Sequence, residues 1–143
     1  VTHENGGALW VDCIGYHANG PPPDGFFEGV LARYRNAIAQ QDPALRRPLC
    51  LTEVSFSLPI GGQTPPDFAW AVGHTEEEQA QRFRKWIAMS RTAPDLHLAI
   101  VFNLNYLENG RPTPNSIAAL ARPDLKGLTL SVFREEFGLR STR

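Results

Sequence analysis

The sequence predicts an α/β protein in which parallel strands alternate with helices. Two observations predict this class: short apolar runs recur along the chain, and a segment with helical spacing of apolar residues follows each of them. Such alternation is typical of a parallel sheet with right-handed crossovers. The 143 residues, of which 42% are hydrophobic, suit one globular domain.

The first strand is predicted over residues 10–17, and a loop rich in proline and glycine follows it. A helix is predicted over residues 26–41, because its apolar residues recur at spacings of three and four and form one buried stripe. Asp42 and Pro43 end that helix. The stripe consists of Phe27, Val30, Leu31, Tyr34 and Ile38.

The second strand is predicted over residues 48–53, where a continuous apolar run indicates a strand covered on both faces. A long loop over residues 57–74 precedes the second helix. Thr75 and Glu78 predict a capping box at the start of this helix, which ends near Thr92.

The third strand is predicted over residues 96–104, with a turn and a short helix over residues 117–121 after it. The last segment, residues 127–143, is the least regular. Within it, residues 129–133 favour an edge strand, and a C-terminal extension or tail is expected to begin at residue 127.

Composition excludes several classes of partner. A net charge of −1 and a pI near 6.5 provide no basic field, which argues against nucleic acid and membrane surfaces. No apolar run approaches the ~20 residues that span a bilayer, and no signal-peptide pattern opens the chain. Because the chain opens at Val1 with a polar segment, we expect it to be a piece of something longer.

Cys13 and Cys50 each lie in an apolar, strand-like run. They are predicted to be buried thiols rather than a disulfide or a metal pair, because no further ligands cluster at metal spacing. No metal site is predicted either. Neither glycine pair has the spacing of a phosphate loop, and no cofactor is predicted. The compartment, secreted or cytoplasmic, stays open.

Glu53 ends the second strand, where an ionised carboxylate is costly to bury without a partner. In parallel α/β folds the active site forms at the C-terminal ends of the strands. Catalysis and a solvated loop position are therefore the two interpretations of Glu53, and the local pattern does not separate them.

The three strand ends in their order, residues 12–17, 47–53 and 101–104, and the turn at 109–114 resemble a known arrangement. They are similar to the last three βα units of the (β/α)8-barrel retaining glycoside hydrolases, the clan of many cellulases, xylosidases and mannanases. The most specific piece is Pro48-x-x-x-Thr52-Glu53, and the resemblance spans roughly residues 8–125. It implies a partial TIM barrel, with residues 1–126 as its C-terminal βα units.

The resemblance also implies roles for single residues. Glu53 would be the nucleophile, and His17 would contact the substrate or Glu53 from the neighbouring strand end. Asn19 stands where families of this clan often carry tyrosine. Trp70 has two interpretations, loop packing or a stacking surface for sugar. The other implied substrate contacts are Phe102, Asn103 and Tyr106.

Retaining hydrolysis needs two carboxyl groups about 5–5.5 Å apart. In this clan the acid/base glutamate ends the fourth strand, which the resemblance does not cover, and a full barrel has about 250 residues. The expected substrate is a carbohydrate. The expected source of the missing strands is an N-terminal part of the barrel or a second copy of the chain.

Two other interpretations stay open. A non-catalytic carbohydrate-binding or scaffold domain derived from such a barrel would bind sugar regardless of the charge on Glu53. An unrelated small α/β domain would fold cooperatively as a monomer, whereas a half barrel would leave open sheet edges and associate.

Overall fold

The computed structural model describes residues 11–19, 26–60, 64, 66, 71, 73–102, 109, 111 and 120–138. Within these residues, three parallel strands alternate with helices and lie in the spatial order β1-β2-β3. This confirms the α/β class with a parallel sheet. The elements are β1 (Ile14–Asn19), α1 (Phe26–Ala39), β2 (Leu49–Ser55), α2 (Glu76–Thr92), β3 (Leu96–Val101) and α3 (Leu128–Phe137), with a short 3-10 turn at Pro43–Leu45 before β2.

Strand β2 lies in the centre of the sheet, as its apolar run predicts. Leu49, Cys50 and Leu51 are each only 1% exposed, and β2 pairs with a strand on either side. Both β1 and β2 extend two residues past their predicted ends, to Asn19 and Ser55. The extension matters because it adds polar side chains to the C-terminal edge of the sheet.

One face of the sheet carries the core, and helices α1 and α2 contribute to it. Phe27 of α1 and Phe83 of α2 are 6% and 0% exposed, and both contact the ring of Phe56, which follows β2. The ring centroids of Phe56 and Phe83 lie 4.6 Å apart in an edge-to-face arrangement. The predicted capping box is confirmed: the backbone N–H groups of Glu78 and Thr75 donate to each other's side chains, at 3.2 and 2.9 Å.

The predicted edge strand at residues 129–133 is wrong, because this segment belongs to helix α3. Glu76 stabilises the start of this helix. Its two carboxylate oxygens accept hydrogen bonds from the backbone N–H groups of Lys126 and Leu128, both at 2.6 Å. These N–H groups at the helix start would otherwise lack partners. The helix then buries Thr129 and Val132, which are three residues apart, against α2.

The prediction of free thiols is also wrong, since Cys13 and Cys50 form a disulfide with 5.7 Å between their Cα atoms. The parallel register places Gly15 opposite Cys50, so Cys13 lies diagonally across from Cys50. The two cysteines are 37 residues apart in sequence, and only the strand pairing brings them together.

Several predictions fall outside the described residues. These include most of the helix over residues 117–121 and the end of the third strand at residues 103–104. The domain boundary at residue 127 stays a prediction. In the described part of the chain, no helix combines the length and the apolar character needed to cross a membrane.

Candidate functional site

A bulge near the end of β2 turns Glu53 away from the core. Leu51 and Val54 both belong to the core although they are three residues apart, which strict alternation along a strand does not allow. The register with β1 shifts after Tyr16, and the register with β3 shifts between Leu51 and Val54. The Thr52 hydroxyl donates to the Tyr16 carbonyl at 3.3 Å beside this shift. Without the bulge, Glu53 would share the face of Leu51 and point into the core.

After the bulge, two rungs of the sheet carry four polar side chains on one face. His17 lies opposite Glu53, and Asn19 lies opposite Ser55. Ala18 lies between the two β1 residues and is 0% exposed, because it faces the core. Since side chains alternate along a strand, the four polar residues lie on the opposite, open face. We call them the strand-end cluster.

The strand-end cluster holds one oxygen of Glu53 and leaves the other available. Oε2 accepts a hydrogen bond from Asn19 Nδ2 at 2.8 Å, and His17 Nδ1 lies 3.4 Å from the same oxygen. This contact is an ion pair when His17 is protonated. The structure shows no hydrogen bond from the described residues to Oε1 of Glu53. With 28% of its side chain exposed, Glu53 is accessible to a ligand that approaches the open face.

Ser55 is the member of the cluster that the sequence analysis missed. It is 2% exposed, and its hydroxyl donates to Asn19 Oδ1 at 2.8 Å. A strand drawn through Ser55 would have revealed it, because a residue two positions after Glu53 lies on the same face. The observed strand β2 includes Ser55, whereas the predicted strand ends at Glu53.

Phe102 directly follows β3, the strand next to β2. Its backbone N–H donates to the Val54 carbonyl at 2.9 Å, and its side chain is 39% exposed. Leu98 and Ile100 precede it at alternate positions and are 46% and 47% exposed, which makes an apolar stripe along β3. The other predicted contacts, Trp70, Asn103 and Tyr106, lie outside the described residues.

The opposite, N-terminal edge of the sheet carries a different kind of pair. Arg35 donates two hydrogen bonds to Asp95, both at 2.6 Å, and Asp95 accepts a backbone hydrogen bond from Leu49. The hydrogen bonds from Arg35 lower the pKa of the Asp95 carboxyl. This bidentate pair ties α1 to the start of β3 at the edge of the sheet opposite Glu53, and it contributes to stability there.

A cleft of about 300 Å³ lies beside β1 and α1, and Glu53 is not among its lining residues. Among the residues that the structure describes, no group of three or more His, Cys, Asp or Glu side chains is arranged to hold a metal ion. The cleft is lined by Ile14, Gly15, Tyr16, Val30, Arg33, Tyr34 and Leu49. Compared with protein-family models, with curated proteins and with solved structures, the chain has no match.

Proposed function

We propose that this chain is the C-terminal part of a (β/α)8-barrel retaining glycoside hydrolase. The enzyme cleaves O-glycosidic bonds in a β-linked poly- or oligosaccharide, and Glu53 is its nucleophile. One observation carries the proposal. A bulge turns Glu53 onto the open face at the C-terminal end of the central strand, where Asn19 binds one carboxylate oxygen and the other has no hydrogen bond from the described residues.

The reaction proceeds in two displacements. Oε1 of Glu53 attacks the anomeric carbon and forms a bond to it, while the bond to the leaving oxygen breaks and an acid outside this chain protonates that oxygen. The same outside residue then takes a proton from water, whose oxygen attacks the anomeric carbon and releases Glu53 as a carboxylate. Each displacement inverts the anomeric centre, so the product retains the original configuration.

Features of the two outer strands, β1 and β3, support the proposal that the sheet belongs to a larger one. Among the described residues, β1 and β3 each pair with one strand only, and β3 exposes Leu98 and Ile100 beside Phe102 on the open face. A strand that is apolar on both faces is typical of a sheet buried on both sides. The remaining strands, from an N-terminal part of the barrel or from a second copy, would cover this stripe and bring the acid/base carboxyl to Glu53.

The substrate lies along the strand ends in this proposal. His17, whose side chain is 61% exposed, and Asn19 bind hydroxyls on one side of the cleaved bond. Phe102 supplies an apolar surface for a sugar ring, which suits the face of a pyranose. Trp70, Asn103 and Tyr106 complete the set of proposed substrate contacts.

The test uses the protein as its native source produces it. Aryl β-glucoside, β-xyloside, β-mannoside and β-galactoside serve as probes, and Glu53→Gln is expected to lower kcat on the order of 10⁴-fold because the amide is a poor nucleophile. Glu135→Gln is the matched control and should retain activity. It changes an exposed carboxylate of α3 that pairs with Arg84 of α2.

A trapping experiment identifies the nucleophile directly. An aryl 2-deoxy-2-fluoro-β-glycoside of the preferred sugar slows the second displacement and leaves the sugar on the enzyme. Peptide mass mapping should find the label on Glu53. Wild-type turnover in Glu53→Gln, or a label elsewhere, would refute the assignment. Oligosaccharide binding without turnover, unchanged in Glu53→Gln, would instead establish a non-catalytic carbohydrate-binding domain.

A further inference from the structure

Ser55 is a buried polar residue within the strand-end cluster, and the structure shows no hydrogen bond between its hydroxyl and Glu53. It is 2% exposed, and its hydroxyl donates to Asn19 Oδ1 at 2.8 Å. A buried hydroxyl is costly unless it is hydrogen-bonded, and this contact satisfies it. Ser55 therefore stabilises one particular arrangement of Asn19.

The Asn19 amide has two chemically different ends. Its oxygen only accepts hydrogen bonds, while its nitrogen only donates them. With the oxygen bound to the Ser55 hydroxyl, the nitrogen faces Oε2 of Glu53 at 2.8 Å. A flipped amide would place its oxygen against the carboxylate, where the two acceptors repel each other.

We propose that Ser55 is a positioning residue that orients Glu53 through Asn19. The relay from Ser55 to Asn19 to Glu53 fixes which carboxylate oxygen is bound and which is presented to the ligand. The cross-strand register makes the relay possible, because Asn19 lies opposite Ser55 and diagonal to Glu53 on the same face. The relay itself is a structural claim, and its effect on turnover rests on the function proposed above.

The relay is tested first without any substrate. In the full chain labelled with ¹⁵N-asparagine, the side-chain amide signals of Asn19 are assigned by their loss in Asn19→Ala. Ser55→Ala should shift these signals, because the amide loses the donor that orients it. Ser57→Ala is the matched control, since Ser57 is also 2% exposed and lies two residues further on.

A second pair of variants separates the hydroxyl from packing. Ser55→Thr keeps the hydroxyl. Ser55→Val introduces a side chain of nearly the same shape as threonine but without the hydroxyl, and both residues suit a strand. The Thr variant should keep the wild-type signals of Asn19, and the Val variant should reproduce those of Ser55→Ala. This pair also provides the test should Ser55→Ala unfold the protein.

The effect on turnover follows from misplacing the carboxylate. Ser55→Ala and Ser55→Val should lower kcat by ~10- to 100-fold and change KM by a smaller factor, and Ser55→Thr should restore both. Unchanged Asn19 signals in Ser55→Ala, or equal shifts in Ser57→Ala, would overturn the relay. Shifted signals, together with no glycosidase activity in the protein as its native source produces it, would uphold the relay and refute the proposed function instead.

Discussion

The two faces of the sheet differ in what their side chains do. On the covered face, Val54 and Phe56 are 0% and 1% exposed and pack in an aromatic core with α1 and α2. On the open face, the strand ends carry the polar cluster around Glu53, and β3 exposes Leu98 and Ile100. The same strand, β2, serves both faces. Stability and the candidate chemistry are thus divided between the two sides of one strand.

The largest expected effect contrasts the two faces directly. Phe83→Ala removes a fully buried ring from the covered face and should lower the free energy of unfolding by ~3–5 kcal/mol. Ile100→Ala on the open face, where the side chain is 47% exposed, should cost about 1 kcal/mol or less. Urea denaturation followed by circular dichroism measures both values. Equal losses would contradict the division between the faces.

The disulfide is the next largest contribution. Replacing Cys13 and Cys50 together by serine should lower the free energy of unfolding by ~2–4 kcal/mol, because the cross-link restricts the unfolded chain. Adding a phosphine reductant to the wild-type protein should lower its free energy of unfolding by a similar amount. The double variant should not respond to the reductant, and a response would show that the loss has another cause.

A substitution of Glu76 tests how this residue of α2 stabilises the start of α3. Glu76→Gln replaces one carboxylate oxygen by an N–H₂ group, so a backbone N–H at Lys126 or Leu128 loses its acceptor. The expected cost is ~1–3 kcal/mol, with faster amide exchange at Leu128. Glu77→Gln, which changes an exposed carboxylate near Lys126, is the control and should leave the urea midpoint unchanged. Slow exchange at Leu128 in Glu76→Gln would contradict the capping role.

The smallest effect depends on pH. Because Arg35 lowers the pKa of Asp95 below its ordinary value of 3.8, the pair stabilises the fold above that pH. This stabilisation is lost as the pH falls through the lowered pKa of the folded state. Asp95→Asn should therefore be less stable than wild type at pH 7, by about 1 kcal/mol or less since Arg35 is half exposed, and this difference should shrink as the pH falls below 3.8. A constant difference across this range would exclude the ion pair as its source.

Elements whose periodicity is local were predictable. The stripe of α1, the capping box at Thr75 and the central strand around Leu51 depend on residues within a few positions of each other. Glu53 was also singled out, because a carboxylate that follows a buried strand is unusual. Features that depend on distant residues were not predictable in this way: Thr129 lies in a helix because Glu76, far away in sequence, binds the N–H groups at its start.

The residue pattern alone predicts the alternation of strands and helices, the central strand and a carboxylate near its end. The pairing of the strands in three dimensions sets the face that this carboxylate occupies, brings the two cysteines together and places Ser55 and Asn19 beside Glu53. The physical reason is that propensity and periodicity act over a few residues. A bulge and a register are set by how whole strands pair and pack, and one shifted residue exchanges the two faces.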